Sequence, residues 1–278
     1  MSKLILYTIY RRLRNAWFAL FPSVFDHADI EIKKIQCSKH VKNVVLSENK
    51  YLVLMTNDAE VILRRPPSSD ISVFNQIFNI EEYKPLVGLA KNLFKDSEFV
   101  MIDGGSNIGL ASCYISMYLK VDKLFLIEPL DTNFEAMVNN INKFGLASVS
   151  HFYRNALCGK PSERYSLSRD FRDGKDWSAF VVPDSNGDIL GLTLMEIIKN
   201  NGLNRISYLK LDIEGAERYL FSSNDGTDFL LYVDLISIEI HDEFGVRTHI
   251  CDTLSKHGFI VFDAGELTIG INLKSICN

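Results

Sequence analysis

Seven consecutive residues, Asp103-Gly104-Gly105-Ser106-Asn107-Ile108-Gly109, have the types and spacing to hold a nucleoside-bearing ligand. Glycines let backbone N–H groups come close to a ligand. The interval from Gly104 to Gly109 is that of a P-loop, but Leu110 and Ala111 stand where the lysine and hydroxyl residue that hold a triphosphate and its magnesium belong. The dinucleotide register G-x-G-x-x-G also fails, because Ser106 takes the place of the middle glycine. What remains is D-x-G-x-N-x-G. An acid beside this turn suits a ligand with no phosphate to repel, one that carries an amino group and a sulfonium charge. S-adenosylmethionine has both.

Four further clusters could serve such a ligand. Glu128-Pro129 lies 19 residues past Gly109, near the interval at which α/β nucleotide folds place an acid on the ribose hydroxyls. A carboxylate accepts two hydrogen bonds from a vicinal diol. Asn155-Ala156 ends another apolar segment, where Asn155 either bonds the adenine edge or forms a turn. Lys210-Leu211-Asp212-Ile213-Glu214-Gly215-Ala216-Glu217 puts three carboxylates and a lysine beside an apolar run, which is costly unless they are paired, hydrated or used. Glu217 also reads as a helix start, where an acid favours the dipole. Finally, Glu239-Ile240-His241 offers a histidine that is either a base or a hydrogen-bonded strand-end residue.

The elements that must carry these residues are legible as runs. Phe99–Ile102, Lys123–Ile127, Ser150–Arg154, Ile206–Leu211 and Val233–Ile240 read as strands, and Asp103, Glu128, Asn155, Asp212 and His241 all fall at their carboxyl ends. That is the edge where open α/β sheets bind ligands. Between them, helices are expected at Ile108–Leu119, Phe134–Ile141, from the capping box Thr193–Glu196 to Gly202, and around Val246, Ile250 and Leu254. Phe259–Phe262 and Leu267–Leu273 close the chain as a hairpin. Alternating strands and helices predict a mostly parallel sheet with right-handed crossovers. Ser162–Pro183, polar with interspersed aromatics, reads as a substrate-facing insertion.

Ahead of this domain, Val41–Leu46, Tyr51–Met55 and Ala59–Leu63 predict an antiparallel meander that Arg64-Arg65-Pro66-Pro67 ends. Ser69 or Asp70 should cap a helix through Phe78, and a second helix should run from Glu81 to Phe94. Residues 1–95 are therefore read as an appendage and 96–278 as the nucleotide domain. Leu4 to Trp17 is broken by Arg11, Arg12 and Arg14, too short and interrupted to span a bilayer. With Trp17, Phe18 and Phe21 it reads either as an interfacial helix giving peripheral membrane contact or as an arm docked on the core or on a second copy.

Net charge −5 and a pI near 5.7 point away from a general nucleic-acid binder. Five scattered cysteines, none in C-x-x-C, indicate neither a zinc site nor a disulfide framework, and fit a reducing, cytoplasmic setting. Nothing in the carboxylate spacing demands a metal.

Taken together, Ile102–Gly109, Ile127-Glu128-Pro129, Leu192-Thr193-Leu194, Leu209–Glu217 and Ile238–His241 resemble the FkbM family of S-adenosylmethionine-dependent methyltransferases over residues 70–275. The K-x-D-x-E-G-A-E block together with D-x-G-x-N-x-G carries the resemblance. Ser106 stands where the family most often has alanine. The resemblance implies a Rossmann-like class I methyltransferase fold, with a mostly parallel seven-stranded sheet whose last strand is antiparallel. It also implies O-methylation of a hydroxyl, often on a sugar or secondary metabolite, so a glycan or small-molecule acceptor is expected. The expected cofactor residues are Asp103, Gly104, Gly105, Ser106, Asn107 and Gly109 in the turn, with Asp103, Gly105 and Asn107 on the amino-acid end. Glu128 and Pro129 are expected at the ribose, Asn155 and Ala156 at the adenine, and Asp212 against the cofactor as well. Asp212, Glu214 or His241 would orient or deprotonate the acceptor, and Lys210 would neutralise Asp212. The competing readings are a non-catalytic scaffold that keeps the fold and, against the failed G-x-G-x-x-G register, a nicotinamide-dependent oxidoreductase.

Overall fold

The structure, a computed structural model, describes residues 27–95, 97–168, 180–222 and 224–276. The basic, aromatic N-terminal stretch and, within the insertion, Phe171 and Trp177 lie outside the described residues. The chain divides into two compact units, Met1–Glu81 and Glu82–Asn278.

The first unit carries α1 (His27–Gln36), then β1 (Val41–Ser47), β2 (Lys50–Met55) and β3 (Glu60–Arg64), paired antiparallel as the alternating sequence predicts. Tyr51, Val53 and Met55 of β2 and Val61 and Leu63 of β3 are the buried members of the alternation. The helix that follows, α2 (Asp70–Phe74), widens into a π-helical stretch over Asn75–Ile80 and stops at Glu81, whose φ is 61°. Asp70 is no cap. Its buried carboxylate accepts from the Arg64 backbone N–H at 2.7 Å and pairs with the Arg64 guanidinium, tying the helix start to the end of β3.

The second unit begins earlier than residue 96, because the helix α3 (Lys84–Leu93) belongs to it. Seven strands form its main sheet: β4 (Val100–Gly104), β5 (Lys123–Ile127), β6 (Ser150–Tyr153), β11 (Ile206–Leu211), β12 (Val233–Glu239), β13 (Phe259–Ala264) and β14 (Leu267–Asn272). Their spatial order is β13-β14-β12-β11-β4-β5-β6, with every pair parallel except those made by β14. This is the expected mostly parallel sheet with an antiparallel last strand. Each residue of β4 and β11 is buried, so both strands are covered on both faces. The crossovers include α4 (Leu110–Ser116), shorter than the expected 108–119, and α5 (Asp131–Lys143).

The described ends of the stretch read as an insertion, 162–168 and 180–183, each contain a strand. β7 (Ala156–Leu157), β8 (Arg164–Ser168), β9 (Phe180–Pro183) and β10 (Ile189–Leu192) form a second sheet in the order β7-β10-β8-β9. These runs are too short for a period-two pattern to stand out. At Gly187 a Cβ would lie 2.1 Å from the Tyr165 carbonyl oxygen, so the turn after β9 is pressed against β8. α6 (Leu194–Asn200) follows with the predicted capping box: Glu196 N donates to Thr193 Oγ1 at 3.1 Å, and Thr193 N donates to Glu196 Oε2 at 2.9 Å. Among the described residues, the other α-helices are α7 (Glu217–Leu220), α8 (Arg247–Lys256) and α9 (Leu273–Ile276).

Candidate functional site

At the carboxyl end of β4 the chain must turn against the neighbouring strand end. Gly105 has φ +72°, and a Cβ there would fall 1.7 Å from the Asp212 carbonyl oxygen. No side chain fits, which is why the turn is glycine. Ser106 knits the turn to β5. Its hydroxyl donates to the Asp103 carbonyl at 2.6 Å and accepts from Ile127 N at 3.0 Å, while Gly105 N and Ser106 N both donate to the Ile127 carbonyl. The departure from alanine thus adds a buried hydroxyl that is satisfied internally. Neither Ser106 nor Asn107 caps α4, whose N-cap is Gly109 with φ 81°.

Behind the turn lies a buried ion cluster. Lys210 Nζ is 3.1 Å from Asp103 Oδ1 and 3.6 Å from Asp212 Oδ2, with the lysine and Asp103 almost fully buried. The Asp103 contact is an ion pair without hydrogen-bond geometry; the lysine donates to the Gly105 carbonyl at 2.8 Å instead. Asp103 accepts from Ser112 Oγ at 2.5 Å through its other oxygen. Burial works against the charge on Lys210, yet Asp103 and Asp212 hold its pKa above the ordinary lysine value. One cation therefore ties the ends of β4 and β11 together and offsets one of the two negative charges.

In front of the turn opens a cavity with both polar and apolar lining, the mixture usual for small-molecule sites. Gly105, Asn107, Glu128, Pro129, Asn155, Ala156, Asp212 and Glu214, all expected site residues, line it. Asp103, Gly104, Ser106, Gly109, Lys210 and His241 do not line it; Asp103, Ser106 and Lys210 hold the turn from behind. Leu130, Asn133, Leu157, Leu167 and Val181 also line it, and none of them had a site role in the sequence reading.

Each cavity residue brings a defined chemistry. The buried Oδ1 of Asn107 has no hydrogen-bond partner among the described residues, so the turn offers an acceptor for an ammonium group. Glu128 Oε2 accepts from Asn107 N and Oε1 from Leu130 N, both at 2.9 Å. Burial raises its pKa to about 7, against these two bonds. Asn155 donates its amide to the Leu190 carbonyl at 3.1 Å, so its nitrogen anchors β10.

Beyond Asp212 the site is rich in acid. Glu214, with φ 52°, precedes Gly215, where a Cβ would meet the Phe244 ring at 2.3 Å. This left-handed pair turns Glu214 toward His241, whose Nε2 is 3.3 Å from Glu214 Oε2 and whose Nδ1 is 3.4 Å from Glu217 Oε2. Burial opposes protonation of His241, but the two carboxylates raise its pKa to about 11. It is an imidazolium at neutral pH and has no lone pair with which to take a proton. Glu217 is fully buried at the first position of α7, as its helix-start reading expected, and also accepts from Ile213 N at 3.2 Å.

Glu239, quoted in the motif without a role, belongs here too. The charge of Asp212 and then burial raise its pKa to about 9. Its carboxylate oxygen comes within 4.8 Å of those of Glu82 and Glu266. Tyr83, buried at the start of α3, has its pKa pushed well up by burial and by Asp212. Tyr208 and Ser237 hydrogen-bond at 2.6 Å in the same sheet. No sequence pattern ties Glu82 and Tyr83 to the strand ends, since only folding brings α3 to them.

Residues 103–261 match the family model "Methyltransferase FkbM domain". No curated protein matches the chain. Among solved structures, a methyltransferase FkbM from Methylobacillus flagellatus aligns at 14% identity over 73% of this chain and 53% of its own, with a TM-score of 0.42. The chain thus spans about half the length of that protein. A human methyltransferase 10 domain containing protein aligns at 11% identity, over 69% of this chain and 82% of its own, with a TM-score of 0.43. TrmK of M. capricolum, solved with S-adenosylhomocysteine, aligns at 10% identity over 68% of each chain, with a TM-score of 0.37. No described helix is long and apolar enough to cross a membrane. The family match covers more than half of the sequence and contains the turn, the carboxylate block and β12, and the chain belongs to the FkbM methyltransferase family.

Proposed function

We propose that this chain transfers a methyl group from S-adenosylmethionine to a hydroxyl of a sugar or secondary metabolite. The observation that carries the reading is the order of groups along one cavity: the free acceptor on Asn107, the buried carboxylate of Glu128, and the carboxylate of Asp212. Asn107 and the Gly105 backbone would hold the amino-acid end, and Glu128 the ribose hydroxyls. S-adenosylmethionine, when bound, supplies a methyl group already activated on a sulfonium sulfur. The protein's work is then alignment and removal of the acceptor's proton.

Of the acids near the transfer point, His241 is already protonated and Glu239 keeps its proton at neutral pH. Glu214 is engaged by His241. Asp212 is left as the base. With S-adenosylmethionine bound, the methyl would pass from its sulfur to the acceptor oxygen with the bonding pair left on sulfur, and Asp212 would take the hydroxyl proton. Lys210 holds that carboxylate in place from behind. The test is methyl transfer from labelled S-adenosylmethionine to a panel of free sugars, glycans and phenolic metabolites, with amines as the contrasting class. Label in base-stable ether linkage on a hydroxylated acceptor supports the reading; label confined to amines contradicts it.

Glu128 also makes the site pH-dependent. Its carboxylate accepts from a diol, and its protonated form has lost an acceptor. Affinity for S-adenosylhomocysteine should therefore be full above about pH 7 and fall as the pH drops through it, by up to about tenfold per unit. Stability of the free protein moves the other way. A carboxyl whose folded pKa is raised binds its proton more readily when folded, so this group favours folding at low pH and loses that contribution between 4.5 and about 7. Titrations between pH 5.5 and 8 should show the affinity slope in the wild type and a flat profile in Glu128→Gln.

A further inference from the structure

The inserted sheet supplies part of the cavity wall. Leu167 of β8 and Val181 of β9 are direct cross-strand partners, and both line the cavity. Two residues back on the same face of β8, Tyr165 is fully buried in a small core with Cys158, Val181 and Ala216. Leu167 continues that face beyond the core and is 37% exposed. On the opposite face of β8, Ser166 donates to Asp184 at 2.6 Å. A half-exposed leucine between two serines adds little to the packing of the hairpin, but it extends an apolar surface into the cavity. Pro129, Leu130 and Leu157 make the same cavity apolar next to Glu128, the carboxylate assigned to the ribose.

We infer that the Leu167–Val181 pair is the wall that selects a purine base, so that base recognition in this protein is supplied by the inserted sheet as well as by the strand ends. Two aliphatic side chains in register present a flat apolar step, and a planar heterocycle buries most area against such a surface. The inference rests on the cofactor reading above. It also gives the segment read from sequence as acceptor-facing a different role: its two ends, at least, are built against the cofactor.

The test is calorimetric titration of the full chain, as wild type, Leu167→Asp and Leu167→Met, with S-adenosylhomocysteine and with 5′-methylthioadenosine, which keeps the purine and lacks the amino-acid end. Leu167→Asp should weaken both ligands by the same factor, on the order of tenfold, and Leu167→Met should stay within about threefold. An unchanged affinity for both ligands in Leu167→Asp overturns the inference, as does a loss for S-adenosylhomocysteine alone, which would put Leu167 at the amino-acid end. Should Leu167→Asp fail to fold, Val181→Thr makes the same comparison with little change of volume. A wild type that binds neither ligand overturns the cofactor reading and this inference with it. Wild-type binding with an indifferent Leu167→Asp overturns the inference alone.

Discussion

Lys210→Met is expected to cost about 3–5 kcal/mol of folding stability, the usual penalty for removing one partner of a buried ion pair. The lysine is 3% exposed, and its removal leaves Asp103, at 0%, without a counter-charge. Methionine keeps most of the volume, so the loss is electrostatic. Two further results follow from that cause. Lowering the pH should shrink the deficit, because a buried Asp103 with no cation takes up a proton more readily when folded. Lys210→Met combined with Asp103→Asn should recover much of the loss, since replacing both partners removes the stranded charge. Urea unfolding of the two single variants and the double variant measures all three. A double variant no more stable than Lys210→Met would contradict the pairing.

Asp212→Asn carries the second large effect. If Asp212 takes the acceptor's proton, turnover should fall by about 10²–10⁴, the contribution of a well-placed general base. The amide is isosteric and still lines the cavity, so affinity for S-adenosylhomocysteine should change little. Glu239 should change as well. Its raised pKa owes most to the charge of Asp212 and should drop toward the ordinary glutamate value in the variant. Carboxyl resonances followed by NMR would detect that drop even before an acceptor is known. Turnover within a few-fold of wild type would remove Asp212 from the chemistry.

The strand ends were legible because burial and charge alternate sharply there. Asp103, Glu128, Asn155, Asp212 and His241 were expected on one edge, and the strand order and register put them there. Individual roles were less legible. Asp103 was expected on the ligand and instead faces Lys210 and Ser112, a pairing that depends on β4 and β11 being neighbours. Nothing local distinguishes an acid that lines a cavity from one a layer behind it. His241 was open between base and structural residue, and its two carboxylate neighbours come from the turn before α7 and from the first residue of α7, a contact between segments more than twenty residues apart. The second sheet escaped notice because strands of two to five residues give no reliable periodicity. Glu82 and Tyr83 were invisible for the same reason that long-range contacts generally are: they meet the site only through the packing of α3.

The central claim is that the cavity in front of Gly105 and Glu128 holds S-adenosylmethionine. Calorimetric titration of the purified chain with S-adenosylmethionine and S-adenosylhomocysteine, with NADH as the control, tests it most directly. Micromolar binding of the two sulfur ligands, weakened in Glu128→Gln and absent for NADH, is the expected result. Binding of NADH in preference to either, or no heat from any of the three, would contradict the claim and leave a methyltransferase fold that serves as a scaffold.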